Sequence, residues 1–350
     1  RLPFGLNLGA QLYAAKETRV LPRDTQLLLL PQYWAWCLSG VAASEATSLG
    51  CHTDLWRPFD NRFSSLARAE GWSEMLAPLR SASAVLGVVT PDIARLTGLP
   101  SDCEVLCGLH DSNSAFFGAR AHPELTNRDV TVISTGTWFV AMRAPRDPAA
   151  FQLNAAHEAR DVLINVDVEG RPAPSARFMG GREVERLIGD EDSPLRTRNY
   201  VRTEAPKYIP EVQASGAFIL PSFAPGVGPF PHADGMWHGP VLEGGARRAA
   251  AGLYLGLVAH ESLSLIGACD AILIEGRFAD DLTFAGMLAS LRPDCDIYAA
   301  GSEDGLAFGA LRLADPSLQS RGKLTKVAPL ACDVTRYAKE WRERVAASVQ

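Results

Sequence analysis

The sequence predicts a mixed α/β protein of two domains. Over the second half of the chain, short β-branched and apolar segments alternate with helical patterns, an order that is typical of a sheet layered with helices. The chain has 350 residues, which is enough for two domains of ordinary size. It contains no repeat of short fixed period and no low-complexity tract, so neither a solenoid nor a disordered chain is indicated.

The first part of the chain is predicted to be mainly helical. Leu8, Leu12 and Tyr13 lie roughly on one helical face, and Gly40 lies where a helix C-cap is expected. In this part we predict one strand, at 105–108, and helices at 7–19, 24–39, 73–80, 91–98 and 111–119.

From residue 131 onward, strands are predicted to alternate with helices. Thr131–Ser134 is a β-branched strand, Thr135-Gly136-Thr137 makes a tight turn, and Trp138–Met142 returns as the hairpin partner. Beyond the hairpin we predict strands at 162–168, 216–221, 271–274 and 295–299, helices at 177–189, 246–267, 280–291 and 304–314, and a Pro/Gly-rich loop at 221–240.

The composition argues against several classes of protein. The formal net charge is −6 and Lys and Arg do not cluster, so we expect no nucleic-acid partner. No apolar run reaches the roughly 18 residues of a membrane span, and no signal peptide is visible. Seven dispersed cysteines indicate buried thiols in a reducing compartment, and we therefore expect a cytoplasmic protein. No Cys or His spacing indicates a metal site, so no metal ligand is assigned.

The stretch from Gly108 to Ala115 is the most informative for chemistry. An apolar strand ends on Gly108 and delivers His110 and Asp111 to the start of a helix. A carboxylate there can accept the proton of a substrate hydroxyl as a phosphoryl group arrives. Asp is also a good helix N-cap, and from this stretch alone the two roles stay open.

The turn from Ser134 to Trp138 is the second signal. A Gly flanked by hydroxyl side chains brings backbone N–H and Oγ donors to a place where phosphate oxygens can be held. Short Thr/Gly hairpins are also common in structural roles, so this turn is informative only in combination with His110 and Asp111.

In combination, the two motifs resemble the FGGY family of carbohydrate kinases, closest to its rhamnulokinase and L-fuculokinase branch. In that branch a His-Asp pair and an S-G-T-W turn stand at the same separation, which is roughly 25 residues here. The resemblance covers nearly the whole chain. It includes Leu29–Gly40, Glu45–Asp54, the G-x-x-x-x-P loop at Gly216–Pro221 and the small-residue helix at Gly301–Leu311.

The resemblance implies an α/β fold of two actin-like (ribonuclease H-like) lobes around a central cleft. The remainder of the first lobe, on the sugar side, would be residues 1–125, and the second lobe, on the nucleotide side, residues 126–350. It also implies transfer of the γ-phosphoryl of ATP, with Mg²⁺, to a hydroxyl of a small sugar such as a deoxy-ketohexose, or of a related sugar, polyol or sugar acid. By this resemblance Asp111 is the general base, and His110 and Arg177 contact the sugar.

The resemblance also implies a set of nucleotide contacts. Gly136 and Thr137 would contact the ATP phosphates, and Glu185 falls where a polar nucleotide contact lies. Gly276 belongs to the turn against the nucleotide, and Gly301 begins the small-residue helix beside the adenine.

Three departures from the family pattern bear on these roles. The family's Asp-Gly-Thr hairpin is absent, and we expect that the chain begins after it. Arg277 stands where the family has a glycine, so close backbone approach is in question there. Arg177 replaces an Asn, which changes the charge of the predicted sugar pocket. Two interpretations stay open: the arginine faces the pocket and favours an acidic or more oxidised sugar, or it points away to solvent.

Two alternatives stay open from the sequence. One is a non-catalytic actin-like protein that binds nucleotide or sugar as a regulator, although such a protein has no need of Asp111 beside His110. The other is a phosphotransferase of the same superfold that acts on a polyol or a carboxylate. The oligomeric state is left open between a monomer and a homodimer.

Overall fold

The computed structural model describes residues 5–18, 22, 25–147, 151–189, 194–301, 305–320 and 322–348. The start of the chain at Arg1–Pro3, and Ser302–Asp304 before the predicted last helix, lie outside these residues. The chain forms two compact units. The first unit comprises Arg1–Ala121, Ile164–Ala173 and Asp304–Ser320, and the second comprises His122–Leu163, Pro174–Glu303 and Arg321–Gln350. The sugar-side and nucleotide-side lobes stay a prediction.

The secondary structure is a mixture of short strands and helices of up to 22 residues. The helices are α1 (Leu8–Thr18), α2 (Leu30–Ser39), α3 (Ala46–Gly50), α4 (Ser65–Ala69), α5 (Trp72–Met75), α6 (Pro91–Thr97), α7 (Asp111–Ala119), α8 (Ala155–Glu158), α9 (Gly180–Ile188), α10 (Ile209–Ser215), α11 (Gly244–Leu265), α12 (Leu282–Leu291), α13 (Gly305–Ala314) and α14 (Thr335–Ser348). The strands are β1 (Trp56–Arg57), β2 (Arg62–Phe63), β3 (Val85–Val88), β4 (Glu104–Leu106), β5 (Val130–Thr135), β6 (Phe139–Ala144), β7 (Val162–Val166), β8 (Pro172–Phe178), β9 (Phe218–Leu220), β10 (Met236–His238), β11 (Ala271–Gly276), β12 (Asp296–Ala299) and β13 (Thr325–Lys326).

The first unit is mainly helical and holds two small antiparallel sheets, β1–β2 and β3–β4. Its main apolar cluster includes Leu49, Leu55 and Trp72, all at most 2% exposed. A second cluster packs Leu109 against Leu313 of α13. This packing anchors the segment that joins β4 to α7, where the predicted His-Asp pair lies.

A seven-stranded sheet in the order β13-β12-β11-β5-β6-β8-β7 supplies the strands of the second unit, except that residues 164–166 of β7 and 172–173 of β8 are grouped with the first unit. Strands β5, β11 and β12 are parallel to one another, and β5 and β6 form an antiparallel hairpin in which Thr135 pairs with Phe139. The carboxyl ends of the three parallel strands meet at one edge, which is where open α/β sheets commonly bind ligands. In the ranges that the structure describes, no helix is both long and apolar enough to cross a membrane.

Most predicted elements are confirmed, including the hairpin from residue 131 to 142 and the helix at 111–119. The predicted helix at 73–80 is wrong beyond Met75, because Leu76 is extended and Pro78 disfavours a helical residue before it. The predicted helix at 177–189 begins only at Gly180, since residues 177–178 end β8. The predicted helix at 24–39 begins only at Leu30. Prediction missed the strands β1, β2, β3, β8, β10 and β13 and the helices α8, α10 and α14 altogether.

Candidate active site

Asp111 lies in the first turn of α7 and is 69% exposed at its side chain. The helix N-cap is His110, not Asp111, so the capping role that the sequence left open for Asp111 falls to its neighbour. Asp111 Oδ1 accepts hydrogen bonds from the backbone N–H (2.5 Å) and the hydroxyl (3.2 Å) of Ser112. Within the part of the chain that the structure describes, no group bonds to Oδ2. The carboxylate is therefore held at one oxygen and open at the other.

The side chain of His110 is more enclosed than that of Asp111, since 27% of it is exposed against 69% for Asp111. Its Nδ1 accepts the N–H of Ser112 (3.3 Å), the same N–H that bonds to Asp111, so the two acceptors lie 3.1 Å apart. Burial lowers the pKa of His110, and the charge of Asp111 opposes this shift. Because Nδ1 accepts the N–H of Ser112, the neutral form of this ring has its proton on Nε2, which makes that nitrogen a donor.

The turn at Gly136 packs closely against the first turn of α9. A Cβ built on Gly181 would lie 2.9 Å from the Cα of Thr137 and closer still to the carbonyl oxygen of Gly136. The N-cap of α9, Met179, makes no side-chain capping bond. The first N–H groups of a helix are suited to anions. The turn and this helix start therefore bring backbone donors together, with Thr137 exposed beside them.

Thr135 joins this turn to the end of β11. Its Oγ1 donates to the carbonyl oxygen of Glu275 (2.6 Å) and accepts the N–H of Phe278 (3.0 Å), and its own carbonyl accepts the N–H of Arg277 (2.9 Å). Gly276 has a φ of 87°, and a side chain there would meet the backbone of Thr135. Arg277 has no positive φ, so the residue that replaces the family's glycine sits on ordinary backbone.

A cavity of about 610 Å³ opens in the second unit beside Gly276 and Gly301. Four of its lining side chains are arginines and two are aspartates, so the walls are rich in hydrogen-bond donors. The remaining lining is apolar or glycine. The lining residues are Val184, Arg196, Arg198, Val201, Arg248, Gly276, Arg277, Phe278, Asp280, Asp281 and Gly301.

Arg248 is the most buried of these arginines, at 1% exposure. It forms an ion pair with the equally buried Asp281 and donates from Nε to the carbonyl oxygen of Leu195 (3.1 Å). Asp281 also caps α12 by accepting two backbone N–H groups at 3.1 Å each. Nη1 of Arg248 is buried and has no protein partner among the described residues. A ligand oxygen or a water in this cavity can supply the missing acceptor.

Glu275, at the end of β11, is a carboxylate next in sequence to the cavity-lining Gly276. Burial raises the pKa of its side chain to about 7, and no described residue hydrogen-bonds to it. Near neutral pH this group is therefore poised between its charged and neutral forms.

Arg177 lies in β8 and is 6% exposed. It makes a bidentate pair with Asp161, with Nε–Oδ2 and Nη2–Oδ1 distances of 2.9 Å, and its guanidinium lies 5.2 Å from the ring centre of Trp138. Glu185 pairs instead with Arg182 on α9 at 3.1 Å and does not line the cavity. Neither side chain is thus free of protein partners, and their predicted ligand contacts stay predictions.

A model of the C-terminal domain of FGGY carbohydrate kinases matches residues 127–321, more than half of the chain. The chain belongs to the FGGY carbohydrate kinase family. Among solved structures, a carbohydrate kinase from Novosphingobium aromaticivorans is 45% identical to this chain and superposes on it with a TM-score of 0.92. The match covers 100% of this chain and 74% of that kinase. The resemblance seen in the sequence is thereby confirmed at the level of the family, whereas the rhamnulokinase branch is not.

Two more distant structures share the fold of this FGGY kinase. A gluconate kinase from Lactobacillus acidophilus is 14% identical with a TM-score of 0.74, and the match covers 98% of this chain and 71% of the other. A glycerol kinase from Plasmodium falciparum, solved with ADP, is 13% identical with a TM-score of 0.67, and the match covers 91% of this chain and 66% of the other. The predicted actin-like α/β fold is confirmed. The family match and the 45% identical structure show that the protein is a carbohydrate kinase.

The structure of this kinase brings together some predicted site residues and adds others. Gly276 and Gly301 line one cavity, and Gly136 is linked to it through Thr135, but Thr137 is not among the lining residues. Sequence reasoning noted Arg277 but missed the other three arginines of the cavity, Arg196, Arg198 and Arg248. Arg248 carried one usable signal, since it and Arg247 directly precede the run Ala249–Gly256, which contains no charged residue.

Proposed function

We propose that this FGGY kinase transfers the γ-phosphoryl of ATP to a hydroxyl of a small sugar, polyol or sugar acid, with Asp111 as the general base. The observation that carries the proposal is the exposed carboxylate of Asp111, which is anchored through Oδ1 while Oδ2 is open. A base must reach a substrate proton, and a fully engaged carboxylate could not.

The nucleotide is proposed to bind in the second unit. Adenosine would occupy the cavity beside Gly276 and Gly301, and the phosphates would approach the turn at Gly136 and Thr137. The cavity lining carries four arginines against two aspartates, and this excess of positive charge suits an anionic donor. The related glycerol kinase was solved with ADP, the product that ATP would leave.

Magnesium would arrive with the nucleotide. The described residues contain no group of three or more His, Cys, Asp or Glu side chains that could hold a metal ion. In kinases Mg²⁺ is held mainly by substrate phosphates and water, with only one or two carboxylates. When bound, the ion would neutralise charge on the phosphate oxygens.

The proton and electron movements follow from these positions. Asp111 Oδ2 accepts the proton of the sugar hydroxyl while the hydroxyl oxygen forms its bond to the γ-phosphorus. The bond from the γ-phosphorus to the bridging oxygen breaks, and its electron pair leaves on ADP. His110 Nε2–H is proposed to donate to a sugar oxygen and so to orient the reacting hydroxyl. Positioning dominates the rate, because phosphoryl transfer needs little covalent assistance.

The substrate class is proposed to be small and polyhydroxylated. The structural relatives are named for gluconate and for glycerol, a sugar acid and a polyol. We place the sugar on the first unit, beside Asp111, and retain the cytoplasmic location that the seven dispersed cysteines predict. Thermal shift with ketoses, aldoses, polyols and sugar acids, with and without MgATP, would identify the class.

Asp111→Asn tests the catalytic proposal. Asn keeps the size of Asp and the hydrogen bonds to Ser112 but cannot take a proton, so kcat should fall by about 10²–10⁴-fold while the KM values change little. Asp92→Asn is the matched control, because Asp92 is an exposed carboxylate (82%) in the first turn of α6. Turnover of a folded Asp111→Asn protein that equals the control would refute the proposal.

A further inference from the structure

Buried side chains of two helices hold the backbone segment that leads to Asp111. Gln32 of α2 is fully buried and donates from Nε2 to the carbonyl oxygens of Cys107 (3.4 Å) and Gly108 (3.3 Å). Thr47 of α3 is 1% exposed, and its Oγ1 accepts the backbone N–H of His110 at 3.0 Å. The path of the chain between β4 and α7 is therefore set by side chains from elsewhere in the first unit.

Glu45 in turn fixes the hydroxyl group of Thr47. Its Oε2 accepts the Thr47 hydroxyl proton at 2.6 Å, and its carboxylate also accepts the N–H groups of Thr47 (2.9 Å) and Ser48 (3.0 Å). A threonine hydroxyl has one proton, and here that proton is committed to Glu45. The lone pairs of Thr47 Oγ1 are thereby left to accept the N–H of His110.

This chain of hydrogen bonds lies in a low-dielectric environment. Glu45 is 2% exposed, and burial raises the pKa of its carboxyl group, while its bonds to Thr47 and Ser48 oppose the shift. Buried polar groups that lose a partner are costly, so each member of such a chain constrains the next. Thr47 bonds to the backbone before α7 and Glu45 bonds to Thr47, and neither has a part in the proton transfer proposed above.

Asp111 depends on this constraint because its own contacts are local. The hydrogen bonds and close polar contacts of its carboxylate in the described chain are with Ser112 and His110, its two neighbours in sequence. The carboxylate therefore moves with the first turn of α7. The N–H of His110 ties the start of that turn to the rest of the first unit, and the side chains of Asn113 and Ser114 hold the helix further along.

We infer that Thr47 is a positioning residue for Asp111, with Glu45 orienting its hydroxyl. This inference rests on the proposed role of Asp111 as the base. Thr47→Val keeps the shape of the side chain but removes the acceptor for His110 and the donor to Glu45. Because a misplacement of about 1 Å can cost a factor of about 10², kcat should fall by about 10–10²-fold with little change in the KM for ATP.

Two further variants separate positioning from general loss of structure. Thr47→Ser retains the hydroxyl and should restore most of the turnover. Thr53→Val is the matched control: Thr53 is also buried (4%), and its Oγ1 also accepts a backbone N–H, that of Leu55 at 3.0 Å, but it does not touch the segment before α7. It should lower the melting temperature about as much as Thr47→Val and leave kcat nearly unchanged.

The decisive measurement is a double-mutant cycle with Asp111→Asn, read as kcat from ADP release. If Thr47 acts through Asp111, Thr47→Val should have almost no further effect once the base is gone. A full additional loss in the double variant, or equal losses of kcat in Thr47→Val and Thr53→Val, would overturn the inference. If Thr47→Val does not fold, Glu45→Gln, which keeps the volume but weakens the acceptor, should show the same non-additivity and serves in its place.

The same cycle distinguishes the two proposals. Normal turnover in Asp111→Asn alone would refute the catalytic role of Asp111, and the positioning role would fall with it. A loss in Asp111→Asn that is simply additive with Thr47→Val would refute only the positioning role.

Discussion

Helices α7 and α13 of the first unit touch through their backbones, and we predict that Gly309→Ala breaks this contact. A Cβ built on Gly309 would lie 2.9 Å from Ser114 Oγ, 2.6 Å from its carbonyl carbon and closer still to the carbonyl oxygen. Real Cβ atoms essentially never come within 3.0 Å of such atoms. Ser114 Oγ also donates to the carbonyl oxygen of Leu306 at 2.7 Å, which holds the helices at this separation.

Two opposing effects decide the magnitude for Gly309→Ala. An alanine in a helix is favoured over glycine by about 1 kcal/mol. Overpacking typically costs about 1–3 kcal/mol, and the upper end applies here because the obstructing atoms are backbone and cannot rotate away. The helices must move apart, so we expect a net loss of about 2 kcal/mol in the free energy of unfolding.

Urea unfolding followed by circular dichroism measures this loss. Gly301→Ala is the control, because a Cβ at Gly301 meets nothing within 4 Å and its stability should change by less than about 0.5 kcal/mol. A Gly309→Ala protein that is as stable as the wild type, or more stable, would show that the gain in helix propensity outweighs the cost of overpacking where α7 and α13 cross. The close contact between the two helices would then not be required.

Two further predictions concern buried charges of the second unit. Arg248→Met leaves the carboxylate of Asp281 without its ion pair, so the free energy of unfolding in urea should fall by about 3 kcal/mol. Calorimetry should also show weaker binding of ATP. Unchanged stability and affinity would contradict this prediction. Burial raises the pKa of Glu183 from 4.5 to about 7, so its contribution to stability is present below pH 4.5 and is lost as the pH rises through about 7. Glu183→Gln should remove about 3 kcal/mol of that pH dependence. The prediction is refuted if the free energies of unfolding of the two proteins, plotted against pH, run parallel from pH 4.5 to 8.

Local sequence signals predicted the elements whose stability is largely local. The hairpin around Gly136 has β-branched strands and a glycine turn, and α7 has its apolar and small residues at helical spacing, so both were predicted within a few residues. Strand β8 was missed because Pro172 and Pro174 weaken any strand pattern. It forms nevertheless, since Phe139–Met142 of β6 supplies a pairing partner that a linear reading cannot supply.

The site was predictable where the residue type itself is constrained. Gly276 needs a positive φ and close approach to Thr135, a requirement that only glycine meets easily, and such a residue stands out in a sequence. The partners of Arg248 were not predictable. Its carboxylate, Asp281, is 33 residues away, and nothing in the sequence around either residue points to the other.

Arg177 shows how a departure from a family pattern can be balanced within the same protein. From the sequence, an arginine in place of Asn adds a positive charge to the sugar pocket and favours an acidic substrate. In the structure Asp161 pairs with it in a bidentate geometry, and the N–H of Gly228 also donates to that carboxylate at 3.2 Å. A buried, fully paired arginine and aspartate together carry no net charge. The substitution therefore gives no electrostatic reason to prefer a sugar acid over a neutral sugar, and that preference has to be decided by the substrates themselves.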